Sequence, residues 1–131
     1  MRPDGGAAGS PEDWIRYAHS DLAIARAHPL RGVLIETLCF HAQQAAEKAL
    51  KAVLIAKGIA PPRTHNIRSL FDCLPSEVVI PFELHEVAVL TDFAVATRYP
   101  GELEPIAEEE YHDAVKLAEV VVLWAEACIG K

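Results

Sequence analysis

The longest segment of helix-favouring sequence runs from Gly32 to Lys57 and reads GVLIETLCFHAQQAAEKALKAVLIAK. Its alanines, leucines, glutamines and lysines favour helix, and no proline interrupts it. Gly58 follows, the residue type that commonly closes a helix in the left-handed conformation. Apolar positions cover most of the helix circumference, which is typical of the central member of a bundle. We therefore predict one long, central helix here.

Four shorter runs with helical spacing flank this stretch, separated by breaks rich in proline and glycine. They run from Pro11 until Pro29, from a cap at Thr64 to Pro75, from Pro81 until Arg98, and from Pro105 through Ala125. The pattern predicts an all-α fold, a five-helix up-and-down bundle with a long central second helix. Residues 1–9 are expected to form a disordered tail, and residues 10–131 one helical domain.

The bulk composition fits a small cytoplasmic globule. The chain has 131 residues, of which 51% are hydrophobic and 24% charged. This is enough for one hydrophobic core. No apolar run reaches the roughly 20 residues that a membrane span needs. The three cysteines, Cys39, Cys73 and Cys128, lack paired spacing, which favours reduced, buried thiols in a reducing compartment.

Charge is distributed unevenly along the chain, although the net charge is −7. Residues 41–70 contain five Lys and Arg against Glu47 alone, a local excess of +4. Residues 101–131 contain eight acids against two lysines, a local excess of −6. One part of the molecule is therefore suited to attract phosphate, despite the overall negative charge.

The long helix carries a polar strip that is suited to anions. At about 100° per residue, His41, Gln44, Lys48 and Lys51 fall within an arc of roughly 80°. An imidazole, an amide and two ammonium groups offer hydrogen-bond donors to phosphate or carboxylate oxygens. The alternative is a solvated helix face on which a Glu47–Lys51 pair adds a little stability.

Two further clusters carry similar chemistry. His65 and Arg68 are three residues apart just beyond the long helix and would share a face. The alternative is that Thr64 and His65 merely cap the next helix. Arg98 and Tyr99, held by the following proline, suit stacking and phosphate pairing. A surface arginine covering an aromatic ring is the alternative there.

Other chemistry finds little support in the sequence. Glu109 and His112 have the Glu-x-x-His spacing of di-iron bundles, but such sites need two such pairs and two more carboxylates. No metal or cofactor site is therefore predicted. Neither a nucleophile elbow nor a phosphate-binding glycine loop is present.

Taken together, three motifs resemble the HEPN domain family. They are the string from Cys39 to Ala52, the run Thr64-His-Asn-Ile67, and Arg98-Tyr-Pro100. The resemblance implies a dimeric five-helix bundle that binds a nucleotide or RNA. We expect neither DNA nor a membrane as a partner. The resemblance also implies pairing with a separate minimal nucleotidyltransferase in a toxin–antitoxin-like system, and many members are metal-independent ribonucleases.

The chain departs from the ribonuclease members of the family at one motif. Those members use an arginine followed, after four to six residues, by a histidine, but Arg98 has no histidine before His112. We therefore expect binding without assigning any catalytic residue, and keep a non-standard ribonuclease or a purely structural interaction module as alternatives. The predicted nucleotide-binding residues are His41, Gln44, Lys48, Lys51, His65, Arg68, Arg98 and Tyr99.

Overall fold

The computed structural model describes residues 9–85 and 106–130. Within these ranges the chain forms four α-helices and no strand. They are α1 (Pro11–Ala25), α2 (Ile35–Ala56), α3 (Ile67–Asp72) and α4 (Glu108–Ile129). The predicted all-helical class is confirmed. The predicted tail lies outside the described residues except for Gly9.

Helix α1 begins where the sequence predicts. The Ser10 hydroxyl accepts a hydrogen bond from the Asp13 backbone N–H, and the Asp13 carboxylate accepts one from the Ser10 N–H. This reciprocal arrangement satisfies two backbone donors that have no partner within the helix. The apolar face of α1 buries Trp14, Ala18 and Leu22.

Helix α2 is the central element, as predicted. It starts three residues later than predicted, at Ile35, and Lys57 forms its C-terminal cap. Gly58 has a φ of +77°, the left-handed conformation expected after a helix. Twelve of its 22 residues are buried, because α1, α3 and α4 all pack against it.

Helix α3 is shorter than predicted and has a different cap. Asn66, not Thr64, caps it, since the Asn66 side-chain oxygen accepts a hydrogen bond from the Ser69 N–H. The Thr64 hydroxyl instead accepts one from the Asn66 N–H. The helix ends at Asp72 rather than at Pro75. Two short polar side chains close together both suit the cap position, so composition alone does not choose between them.

The predicted fourth helix falls mostly outside the described residues. Residues 82–85 form a short 3₁₀ turn, with the Leu84 N–H donating to the Pro81 carbonyl. The count of five helices therefore stays a prediction. The last predicted helix is confirmed as α4, and the β-branched run Val120–Val122 lies within it.

Side-chain contacts fix the helix directions. Along α1, Arg26 bonds Glu119 and His19 bonds Glu126, so α1 and α4 are antiparallel. Between α1 and α2, Trp14 near the start of α1 contacts Lys51 near the end of α2, whose Nζ lies 5.7 Å from the ring centroid. Asp21, near the end of α1, bonds His41, near the start of α2. Helix α1 is therefore antiparallel to its sequence neighbour α2, as an up-and-down bundle requires, and it is also antiparallel to α4.

No helix among the described residues is both long and apolar enough to cross a membrane. Cys39 is buried as expected, whereas Cys73 and Cys128 are only half-buried.

Candidate functional site

A buried carboxylate on α1 gathers two of the predicted donors. The Lys48 ammonium donates to Asp21 Oδ2 at 2.6 Å, and His41 Nδ1 bonds Asp21 Oδ1 at 2.9 Å. An ionised carboxylate only accepts, so Nδ1 of His41 carries the hydrogen. We call these three residues the Asp21 cluster. The side chains of Lys48 and His41 keep 25% and 27% of their surface exposed.

A second buried carboxylate, on α2 itself, gathers another lysine and another histidine. Lys51 Nζ donates to Glu47 Oε2 at 3.0 Å, and His65 Nδ1 bonds Glu47 Oε1 at 2.9 Å. Fully buried Gln43 donates to the same Oε1 at 3.0 Å and to the His65 carbonyl at 3.2 Å. We call these four residues the Glu47 cluster. It ties α2 to the segment that enters α3.

The two clusters are balanced in charge. Two carboxylates face two ammonium groups, so the formal sum is zero while both imidazoles are neutral. Each imidazole adds one positive charge when it is protonated. The predicted strip is therefore less cationic than its sequence indicates, because Asp21 and Glu47 each neutralise one lysine.

Five of the eight predicted residues lie in or beside these clusters. His41 and Lys48 belong to the Asp21 cluster, and Lys51 and His65 to the Glu47 cluster. Gln44 lies beside the second one, since its amide donates to Gln43 Oε1 at 3.0 Å. The lysines of the strip pair with buried carboxylates, and the Glu47–Lys51 pair of the alternative interpretation is present.

Of the other three predicted residues, only Arg68 lies within the described ranges, and no described contact joins it to either cluster. Arg68 lines a separate cleft with Phe71, Asp72, Ile80, Leu84 and His85. Arg98 and Tyr99 lie outside the described residues, so their predicted role stays a prediction.

Sequence reasoning missed the carboxylate at the centre of the first cluster. Asp21 follows Trp14 and Ala18 at the spacing of the buried stripe of α1, and it is itself buried. A charged residue on an apolar stripe is rarely buried without a partner. A carboxylate at a position of the apolar stripe was therefore the signal in the sequence that Asp21 has a buried, positively charged partner. Glu47 and Gln43 break the apolar face of α2 in the same way.

A third group of polar side chains lies where α1 meets the start of α4. Tyr111 is buried and its hydroxyl donates to the Ala25 carbonyl, while burial raises the pKa of the phenol. His28 Nε2 lies 2.9 Å from Glu108 Oε1, and this bond lowers the pKa of that exposed carboxyl. These contacts join two helix ends and contain none of the predicted site residues.

Comparison with known proteins places the fold in one family. The HEPN domain model matches residues 11–128. The structure resembles the crystal structure of TT1696 from Thermus thermophilus, with a TM-score of 0.77 and 34% identity over 90% of this chain and 97% of that chain. It also resembles ST0689, an archaeal HEPN homologue, with a TM-score of 0.72 and 30% identity over 92% of this chain and 98% of that chain. No match was found among the curated proteins. Since the family model spans most of the chain, the protein belongs to the HEPN domain family.

Proposed function

We propose that this protein binds the phosphate of a nucleotide or of RNA on the strip of α2, and acts as the dimeric partner of a separate minimal nucleotidyltransferase in a toxin–antitoxin-like pair. Its binding residues are those predicted from the sequence, with the Asp21 cluster as the principal contact. Family membership supports this reading, since the motifs that resemble the family include the strip.

The observation that carries the proposal is the donor capacity of the Asp21 cluster. An ammonium group has three N–H donors, of which Lys48 uses one on Asp21. His41 donates from Nδ1 to the same carboxylate, so its Nε2 donates to a phosphate oxygen when the imidazole is protonated. Both side chains are about a quarter exposed, which lets an anion reach them while the carboxylate holds them in place.

Binding is tested by titrating a fluorescently labelled single-stranded RNA, and separately ATP, against the wild type and Lys48→Gln. Loss of one phosphate contact should weaken binding about five- to tenfold and flatten its salt dependence. Lys116→Gln is the matched control, because it makes the same charge change at an exposed position of α4. Equal weakening by both substitutions would indicate non-specific charge attraction and contradict the proposal.

Pairing with other chains is the second part of the proposal. Leu30 and Leu34 are exposed at the α1–α2 connection, with exposed Ile24 shortly before them. Exposed apolar side chains close together in sequence suit a subunit contact. Light scattering on the purified chain should give twice the monomer mass of 14.3 kDa, and Leu34→Glu should lower the measured mass.

Co-expression with the nucleotidyltransferase of the adjacent reading frame should yield a complex of the two chains. Separate elution of the two chains would refute the pairing.

A second candidate function is metal-independent RNA cleavage. It is favoured by the two histidines, because each one bonds a buried carboxylate through Nδ1. Such a bond fixes the ring and leaves Nε2 to exchange a proton. Purified protein is incubated with RNA in EDTA, and His41→Gln and His65→Gln are compared with the exposed control His112→Gln on α4. Cleavage that survives both substitutions would assign it to a contaminant or to other residues.

A further inference from the structure

Two half-exposed aromatic rings border the Asp21 cluster. The Tyr17 side chain, on α1, lies below Lys48, whose Nζ is over the ring at 5.8 Å from its centroid. Phe40 lies at the other end of the cluster, where its ring centroid is 5.8 Å from that of His41 and the two rings meet edge to face. Tyr17 is 39% exposed and Phe40 is 40% exposed.

The position of these rings matters more than their exposure alone. Single exposed apolar residues are normal on a protein surface. Phe82, for example, is 87% exposed, and its ring meets that of His85 rather than either cluster. Tyr17 and Phe40 differ from it because each one touches a donor of the proposed phosphate site. Aromatic faces interleaved with cationic groups are the pattern by which proteins hold single-stranded nucleic acid.

The cations beside Tyr17 come from both helices. Arg16 on α1 places its guanidinium 5.8 Å from the Tyr17 ring centroid, and its side chain is 70% exposed while it bonds Asp13. With Lys48, it gives the ring one cationic neighbour from each helix. A base that takes the place of either cation on this ring would keep both positive charges close to its flanking phosphates.

The spacing indicates more than one base. His41 and Lys48 are seven residues apart on α2, which corresponds to about 10 Å along the helix axis. Since each ring lies beside a different one of these residues, the two rings are separate surfaces, and each suits one base. Base faces are free to stack on side chains only in unpaired nucleic acid.

We infer that Tyr17 and Phe40 are base-stacking residues, and that the ligand of the Asp21 cluster is a single-stranded oligonucleotide rather than a bare phosphate or a duplex. Lys48 and His41 hold a phosphate between the two stacked bases. The inference rests on the proposed function and narrows its ligand class.

The test compares two labelled probes of equal length and charge, a single-stranded decamer with bases and an abasic decamer. Tyr17→Leu and Phe40→Leu should each weaken binding of the decamer with bases about tenfold, within the range typical of the loss of one stacked base. Neither should change binding of the abasic probe, because its phosphates contact Lys48 and His41. Tyr17→Trp should keep full affinity, and Phe82→Leu, the matched aromatic control, should have no effect.

The outcomes separate this inference from the proposed function. Equal affinity of the wild type for both decamers, with Lys48→Gln weakening both, would overturn the stacking role and leave phosphate binding intact. Stronger binding to a duplex than to the decamer with bases would also overturn it. A wild type that binds neither probe would contradict both proposals. Circular dichroism melts of the leucine variants should match the wild type, because leucine retains the apolar contacts of the covered part of each ring. A lower melting temperature would assign the rings to packing and count against stacking.

Discussion

The Asp21 and Glu47 clusters use the same three groups, a carboxylate, a lysine and a histidine, but in different surroundings. Glu47 accepts three hydrogen bonds and its side chain is 4% exposed, whereas Asp21 accepts two and its side chain is 11% exposed. Lys51 is 12% exposed and Lys48 is 25% exposed. The carboxylate and the lysine are therefore more enclosed in the Glu47 cluster, whereas its histidine, His65, is 68% exposed and His41 of the Asp21 cluster is 27% exposed.

The difference separates a structural role from a binding role. The Glu47 cluster includes fully buried Gln43, whose amide also reaches the His65 carbonyl, so it fastens α2 to the segment before α3. The Asp21 cluster joins α1 to α2, is bordered by exposed aromatic rings, and retains donors that a ligand can use. We assign fold stability mainly to the first and ligand contact mainly to the second.

The largest expected effect is on stability. Glu47→Gln should lower the free energy of unfolding by about 3 kcal/mol, because it leaves Lys51 without its partner in a buried setting. Asp21→Asn should cost about half as much, since Lys48 is more exposed than Lys51 and reaches solvent more easily. Urea denaturation measures both, with exposed Glu77→Gln as the control. An equal or larger loss of stability in Asp21→Asn would contradict the assignment of fold stability mainly to the Glu47 cluster.

The next largest effect is on the affinity for RNA, which should rise in Asp21→Asn although the stability falls. Asp21→Asn should strengthen binding of single-stranded RNA roughly fivefold, because it removes a negative charge beside the phosphate and releases Lys48, worth about 1 kcal/mol. Glu47→Gln should leave the affinity of the folded fraction nearly unchanged. Anisotropy titrations of both variants at one salt concentration make the comparison. Stronger binding by Glu47→Gln alone would place the ligand at the other cluster.

The smallest effect concerns a carboxylate at the surface. The Ser10 backbone N–H donates to Asp13 and lowers the pKa of this carboxyl below its ordinary value of 3.8. A lowered pKa stabilises the fold above the unfolded value, and this stabilisation is lost as the pH falls through the folded value. Asp13→Asn should therefore lower the melting temperature slightly at pH 7, with a difference that shrinks toward pH 2. A difference in melting temperature that stays constant with pH would show that the charge of Asp13 does not stabilise the fold.

Local patterns predict the helices well and predict the site only in part. Ser10, the alanine-rich α2 and Gly58 act through neighbours in sequence, so the starts of the first two helices are predicted to within three residues. Pairing across helices is different, because nothing near Lys48 in sequence indicates that Asp21 will neutralise it. Asp21 lies 27 residues earlier, and only the packing of α1 on α2 brings the two charges together. The neutralisation of Lys48 was therefore beyond sequence reasoning, whereas the Glu47–Lys51 pair follows from a spacing of four residues on one helix.

Contact between the Asp21 cluster and the ligand is tested most directly by an NMR titration of the wild type with a single-stranded RNA decamer, which follows the amide and histidine-ring signals. We predict that the largest shift changes fall on residues around Tyr17, Asp21 and Lys48, with a change in the His41 ring signals. The Glu47 cluster should show smaller changes, and α4 almost none. Changes centred on His65 and Lys51, or on the cleft around Arg68, would contradict the claim that the Asp21 cluster contacts the ligand.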